Sequence, residues 1–463
     1  MAEIKHQTDY LIIGSGAVGM AFADTLLTET DASIIMVDKF HKPGGHWNVA
    51  YPFVTLHQPS AFYGVSSREL SSGNKDQVGL NKGLNELATG AEVSAYFDNV
   101  MRERFLPSGR VQYFPMCEYQ GDGEFVSTLT GEKHSVSVNK KTVDATYLKT
   151  TVPSTHKPAF SIAQDSWFMP LNDLPQLTKK PEGYVIVGGG KTGIDACLWL
   201  LENGVDPDTI RWIMPRDAWL LDRKNTQPTE EFFADTIGAQ AAQMEAIAES
   251  ESIEDMFNRL EKAGVFLRLD TSVWPKMFHG ATISQLELKA LRRIKNVVRM
   301  GRVTAIESDK IVLEQGTIPT SSNIVHVDCS ASAISNLEMK PVFEGNVITP
   351  QTVRSYQPVF SAAFIAHVEA TYPEEVKNKL CNVVPLPNSD MDWLRLTAAF
   401  MMNQHIWSQD EGLRKWLYEN RLDGFAKLVH SVAPDDTEKM QILGRLRGNS
   451  QAAMAKLQAY LAQ

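Results

Sequence analysis

Two short stretches of this chain carry glycines at the same spacing. They are Gly14-Ser15-Gly16-Ala17-Val18-Gly19 and Gly188-Gly189-Gly190-Lys191-Thr192-Gly193. In each, G-x-G-x-x-G follows an apolar run and opens a stretch of helix formers. This order of residue types suits the holding of a diphosphate. The first glycine permits a tight turn, the second lets the backbone approach a pyrophosphate with no Cβ between them, and the third lets the helix pack close to the strand. The helix N-terminus then presents free N–H groups and the positive end of its dipole.

The residues that would meet the ribose differ between the two stretches. After the first, "ASIIMVDK" reads as a buried strand ending at Asp38, roughly twenty residues beyond Gly14. A carboxylate there accepts from both ribose hydroxyls and repels a 2′-phosphate, which suits FAD or NAD. A phosphate-free strand–helix–strand unit is the bland alternative. After the second, "TIRWIMPRD" ends in Pro215 and Arg216. A guanidinium can fork onto a 2′-phosphate, so NADP(H) is favoured, against the alternative of a solvated surface arginine. Lys191 and Arg223 are secondary phosphate candidates, and Asp217 and Asp222 lie nearby. Two nicotinamides would leave the hydride no acceptor. FAD in the first unit and NADPH in the second make a donor and an acceptor.

Directly after Asp38 stands "KFHKPGGHWNVAYPFVTLHQPSAFYG". With it the chain resembles the class B flavoprotein monooxygenases, which comprise flavin-containing, Baeyer–Villiger and N-hydroxylating monooxygenases. The shared parts are the first glycine motif, the acid–base pair Asp38-Lys39, the G-G-x-W of Gly44, Gly45, His46 and Trp47, and the second glycine motif. The resemblance implies that Gly14, Ser15, Gly16, Ala17, Gly19, Asp38, Lys39, Gly45, His46 and Trp47 hold FAD. It implies that Gly188, Gly190, Lys191, Thr192, Gly193 and Arg216 hold NADPH. Tyr51, Leu56, His57, Gln58 and Pro59 then fall along the flavin ring, with His57 or Gln58 where flavin-containing monooxygenases place an asparagine near C4a. Gln58 can both donate and accept at the ring edge, and His57 can donate a hydrogen bond or pass a proton. The alternative is that both satisfy buried backbone.

The activity that the resemblance implies is insertion of one oxygen atom from O2 into a small-molecule substrate, through an oxygen adduct at flavin C4a. One family fingerprint, F-x-G-x-x-x-H, is absent; the matching region reads "THKPAFSIAQDSWFMPLNDLP". That absence supports an alternative, an FAD/NADPH reductase passing electrons to an acceptor other than oxygen. The lack of C-x-x-C argues against a disulfide reductase. A nucleotide sensor without turnover is a third reading.

The rest of the chain must position these residues. With 463 residues, 43% of them apolar, it can bury two or three cores. Net charge is -10 with no basic stripe, which argues against nucleic acid. Cys117, Cys197, Cys329 and Cys381 are far apart and suggest neither a disulfide framework nor a metal site. Asp24 and the glycines argue against a membrane span at Tyr10 to Leu27. Glu3 and the missing apolar leader suggest a cytoplasmic protein.

The expected fold is α/β, with two Rossmann-like dinucleotide-binding domains, the NADP domain inserted into the FAD domain. The boundaries are 1–176 and 316–389 for FAD, 177–315 for NADP with a helical insertion, and 390–463 for a C-terminal helical subdomain. That subdomain could cover the site or form a homodimer surface. Meanders are expected at 124–148 and 298–319, and "NIVHVDCSASA" is expected to return the chain to the FAD domain. Met244, Met256 and Phe257 read as core. Gln351, Gln357 and His367 are placed either near the flavin or as backbone caps.

Overall fold

Tyr10, Leu11 and Ile12 are all buried, although alternate side chains of a strand point to opposite faces. Such a run suits a parallel strand covered on both sides. The computed structural model describes residues 4–331 and 337–463. In it the strand Ile4–Ile13 pairs in parallel with Ile34–Val37 on one side and Lys133–Asp144 on the other. Val111–Phe114 and Val347–Ile348 extend this sheet outward, again in parallel. Cys117–Gly121, Glu124–Ser127 and the start of Lys133–Asp144 form the expected antiparallel meander.

A second sheet runs in the order Phe168–Pro170, Ile324–Asp328, Gly183–Val187, Ile210–Ile213, Asn296–Val298, with every pairing parallel. The strands Val303–Ile306, Lys310–Leu313 and Gly316–Pro319 make the second meander. The two sheets bear out two dinucleotide-type α/β units, but the second is larger than expected. Ile324–Asp328 pairs with Gly183–Val187 in the second sheet and does not return the chain to the first. Phe168–Pro170 also joins the second sheet. The 177–315 interval is therefore too narrow at both ends. The return to the first sheet falls at Phe343–Glu344 and Val347–Ile348. Ser332 and Ala333, the last residues of the "NIVHVDCSASA" stretch, and Glu3 lie outside the described residues.

The helix Ala17–Glu29 follows the first glycine turn and packs on Pro358–Thr371, burying Phe22 and Leu26 with Phe360 and Phe364. Lys191–Glu202 follows the second turn in the same way. Phe233–Glu249 and Ile253–Lys262 form the helical insertion, where Met244, Met256 and Phe257 are core, as expected. The C-terminal helices do not build a core of their own. Trp407 packs on Phe364 at a ring separation of 4.4 Å in the first domain, whereas Trp393 packs on Phe257 and Phe266 of the insertion. Thr437–Leu461 lies along Phe233–Glu249, and Tyr460 and Ser250 share a hydrogen bond of 2.9 Å. Among the described residues no helix is long and apolar enough to cross a membrane.

Candidate functional site

The two glycine turns share one geometry. Gly14 adopts φ +93° and Gly188 φ +132°, both in the region that favours glycine. A Cβ on Gly19 would lie 2.0 Å from the Gly14 carbonyl oxygen, and one on Gly193 would lie 2.1 Å from that of Gly188. The third glycine of each motif is thus fixed by the approach of helix to turn. The following helices begin at Gly16 and Gly190 with no side-chain cap, and Gly16, Ala17, Val18, Gly190, Lys191 and Thr192 remain partly exposed. Their first N–H groups therefore lack side-chain partners, which fits a bound anion. A Cβ on Gly190 would meet nothing within 4 Å, so space lies in front of the second turn. The first turn is closer to its neighbours: Gly45, at φ +58°, packs against Gly16.

Asp38 departs from the simple expectation of a ribose ligand. Its Oδ2 accepts from the Ser15 backbone N–H at 2.5 Å and from Ser15 Oγ at 2.8 Å, and its Oδ1 accepts from Phe40 N–H at 2.8 Å. The carboxylate braces the glycine turn, and Oδ1, which accepts only from Phe40 N–H among the described residues, has the capacity for a second donor. Lys39 is exposed over the Phe40 ring.

The G-G-x-W segment follows the strand Ile34–Val37, passes against this turn and enters a cavity of about 410 Å³ between the two domains. Gly44 N–H donates to Ser15 carbonyl oxygen at 2.9 Å, which ties the segment to the first turn. His46, Trp47, Tyr51, Leu56, His57, Gln58 and Pro59 line one side of the cavity, and Lys191 and Thr192 of the second turn line another. Gln357, just before the helix Pro358–Thr371, and the C-terminal residues Pro385 to Pro387 and Leu396 close it. Trp47 is fixed by donating from Nε1 to the Tyr63 hydroxyl at 2.8 Å and by stacking on His46. Among the described residues, His57 and Gln58 have no side-chain hydrogen bond, so both face the cavity with free polar groups.

Electrostatically this wall is neutral. Burial pushes the His46 imidazole down to about 4. Enclosure, with lesser contributions from Lys191 and Arg223, holds His57 well below its usual range. Burial lowers His279 too, against a hydrogen bond to Asn388 that acts the other way. Lys191 is ion-paired with Asp195 one turn further along its helix.

The structure reassigns several candidates. Arg223 is not a phosphate ligand: it is fully buried and saturated. It donates to the His57 carbonyl at 3.0 Å, to Asn81 at 3.1 Å and to the Thr282 carbonyl at 3.2 Å, and pairs with Glu287 at 2.9 Å. Asp217 is neutralised by Arg299 at 2.7 and 3.0 Å, and Asp222 accepts from Lys224 N–H and Gln285. Gln351 is bonded to Lys340 backbone, and His367 pairs with Glu29 while stacking on Trp416, away from the cavity.

Arg216 donates to Asn388 Oδ1 at 3.0 Å, and its backbone lies against Gly189 of the second turn. Burial and the nearby Arg302 guanidinium both press on its charge. Arg302 was missed because it stands in the second meander, far from the motif and with no periodic signal. The Tyr51–Asp195 bond was missed for the same reason of sequence distance, although Asp195 stands at i+4 from Lys191, a spacing that does signal a pair.

Two uncapped glycine turns, each between a parallel strand and a helix, define an α/β protein with two dinucleotide-type units. No family model matches the chain. It is 50% identical over 424 residues to uncharacterized protein Rv2000 of Mycobacterium tuberculosis and, equally, to uncharacterized protein Mb2023 of Mycobacterium bovis, covering 91% of this chain and 79% of each relative. The chain belongs to the family that these mycobacterial proteins form. Among solved structures it is similar to a flavin-containing monooxygenase from Stenotrophomonas maltophilia, at 13% identity and TM-score 0.45 over 79% of this chain and 97% of that one. It is also similar to cyclohexanone-bound cyclohexanone monooxygenase, at 13% identity and TM-score 0.49 over 79% and 88%. A third is the bacillithiol disulfide reductase of Staphylococcus aureus, at 12% identity and TM-score 0.44 over 79% and 98%.

Proposed function

We propose that this protein is an FAD- and NADPH-dependent oxidoreductase that transfers one oxygen atom from O2 to a small-molecule substrate. The observation that carries the reading is the shared cavity: the segment tied to the first glycine turn through Gly44 and the first residues of the helix after the second turn line the same space. FAD would be held by the first turn, with Ala17 and Val18 N–H toward its diphosphate, Asp38 Oδ1 toward its ribose and Trp47 to Gln58 along its ring. NADPH would be held by Gly190, Lys191 and Thr192, with Arg216 and Arg302 toward the 2′-phosphate. Together the cofactors supply hydride transfer and activation of oxygen.

The chain's own residues perform the remaining tasks. Tyr51, bonded to Asp195, fixes the distance between the flavin-edge segment and the second turn. The apolar walls and the C-terminal cover exclude water, which protects reactive oxygen chemistry from wasteful breakdown. Neutral His57 can donate or accept a hydrogen bond at a ring nitrogen without introducing a charge, and Gln58 can meet both a donor and an acceptor. Among the described residues no cysteine lines the cavity, which counts against a dithiol reductase. A reductase with another acceptor is the second reading, favoured by the missing F-x-G-x-x-x-H. Oxygen uptake matched mole for mole by oxygenated product supports the oxygenase. NADPH oxidation by other acceptors, without oxygenated product, supports the reductase.

A further inference from the structure

The cavity between the domains has an unusual charge inventory. Among the described residues its lining contains no aspartate and no glutamate. Lys191, the one permanent cation among the described lining residues, is spent on Asp195. The three histidines that touch it are His46, His57 and His279. Each is depressed by burial and is therefore uncharged near neutral pH. The remaining wall is largely aliphatic, aromatic and proline, from Val54 and Leu56 to Val384, Leu386 and Leu396. An ammonium or carboxylate entering this space would leave water without meeting an opposite charge, and the cost of desolvation would dominate.

The wall nevertheless holds polar groups in need of a partner. Among the described residues Ser355 Oγ and Tyr356 OH are buried and unpaired, in adjacent residues that both line the cavity. Tyr356 sits at φ +59°, a conformation disfavoured for a bulky residue, with its ring pressed on Gly280 and edge-on to Phe278. Strain and an unpaired hydroxyl in one cavity residue point to a ligand contact rather than to packing alone.

We propose that the cavity receives an uncharged, mainly apolar substrate carrying one hydrogen-bond acceptor, and that the hydroxyls of Ser355 and Tyr356 engage that acceptor. The inference rests on the oxidoreductase reading for the identity of this cavity as the substrate pocket.

The test uses the flavin-loaded full-length protein and equilibrium dialysis of four probes of similar shape: benzylacetone, butylbenzene, phenylbutylammonium and phenylbutyrate. Benzylacetone should bind about tenfold or more tighter than either ion, with affinity flat across neutral pH. In the double variant Ser355→Ala/Tyr356→Phe, benzylacetone should lose about tenfold while butylbenzene is unchanged. The melting temperature should not fall, because no protein hydrogen bond is removed. Equal or tighter binding of an ion, an unchanged ratio of benzylacetone to butylbenzene in the variant, or binding of none of the probes would overturn the proposal. The flavin spectrum of the same preparation reports separately on the cofactor reading, since a colourless protein fails there before any probe is added.

Discussion

Tyr51 donates its phenolic hydrogen to Asp195 Oδ2 at 2.6 Å, and the other oxygen of that carboxylate pairs with Lys191. Tyr51 comes from the segment that Gly44 ties to the first glycine turn, and Asp195 from the helix that begins at the second. One carboxylate thus joins the two nucleotide units at the wall of the cavity they share. Burial, then the Asp195 charge, raises the Tyr51 hydroxyl well above its usual range, so it remains a donor at any working pH.

Removing that donor should loosen the junction. Tyr51→Phe is expected to lower stability by about 1.5–3 kcal/mol, the range for a hydrogen bond to a charged group. It should also lower the rate of flavin reduction by NADPH more than it lowers NADPH affinity. Chemical denaturation and anaerobic stopped-flow mixing measure the two effects. An unchanged reduction rate would mean that the bond is structural only.

The glycines separate folding from binding. Gly193→Ala places a Cβ 2.1 Å from the Gly188 carbonyl, so the turn and helix must part. A loss of several kcal/mol, on the scale of severe overpacking, is expected there. Gly190→Ala meets nothing within 4 Å and should fold with nearly unchanged stability, yet NADPH should bind about tenfold or more weakly because the methyl occupies the diphosphate's approach. Thermal melts paired with NADPH titration distinguish the variants, and wild-type affinity in Gly190→Ala would speak against a diphosphate at this turn.

Arg216 and Arg302 are the cations proposed for the 2′-phosphate. The double change to alanine should weaken NADPH about tenfold or more, in line with losing charge-assisted contacts, and leave NADH within about twofold. Comparison of the two coenzymes in one steady-state assay gives the ratio directly. Equal losses for both would place the arginines elsewhere.

His46 gives a pH signature. Its imidazole titrates at about 4 in the folded protein, against 6.5 for the free side chain. Between these values the unfolded chain binds a proton that the folded chain refuses. The contribution to stability is therefore complete above pH 6.5 and is lost as pH falls toward 4, by at most about 3 kcal/mol. His46→Gln should flatten the denaturation midpoint over that interval; an unaltered acid limb would show that other groups govern it.

Much of the site could be read from the sequence because its signals are local. A turn, a strand and a helix within thirty residues reveal themselves by glycine spacing and apolar runs, so both nucleotide units and the G-G-H-W segment were legible. Pairing between distant strands was not. Ile324–Asp328 is a short apolar strand that suits any parallel sheet, and nothing within it says which neighbour it will choose. The C-terminal helices showed apolar spacing, but spacing does not reveal that Trp393 and Trp407 enter different cores. Arg223 illustrates a further limit. A buried guanidinium with four partners and a solvated one ready for phosphate look alike in sequence, and only burial separates them.

The central claim is that reducing equivalents pass between two nucleotides held on either side of this cavity. Anaerobic addition of NADPH to the purified, FAD-reconstituted protein tests it most directly. The account predicts a yellow protein with about one flavin per chain, whose oxidised flavin band bleaches on mixing, faster with NADPH than with NADH. A protein that takes up no flavin, or whose bound flavin keeps its oxidised spectrum with both coenzymes, would contradict it.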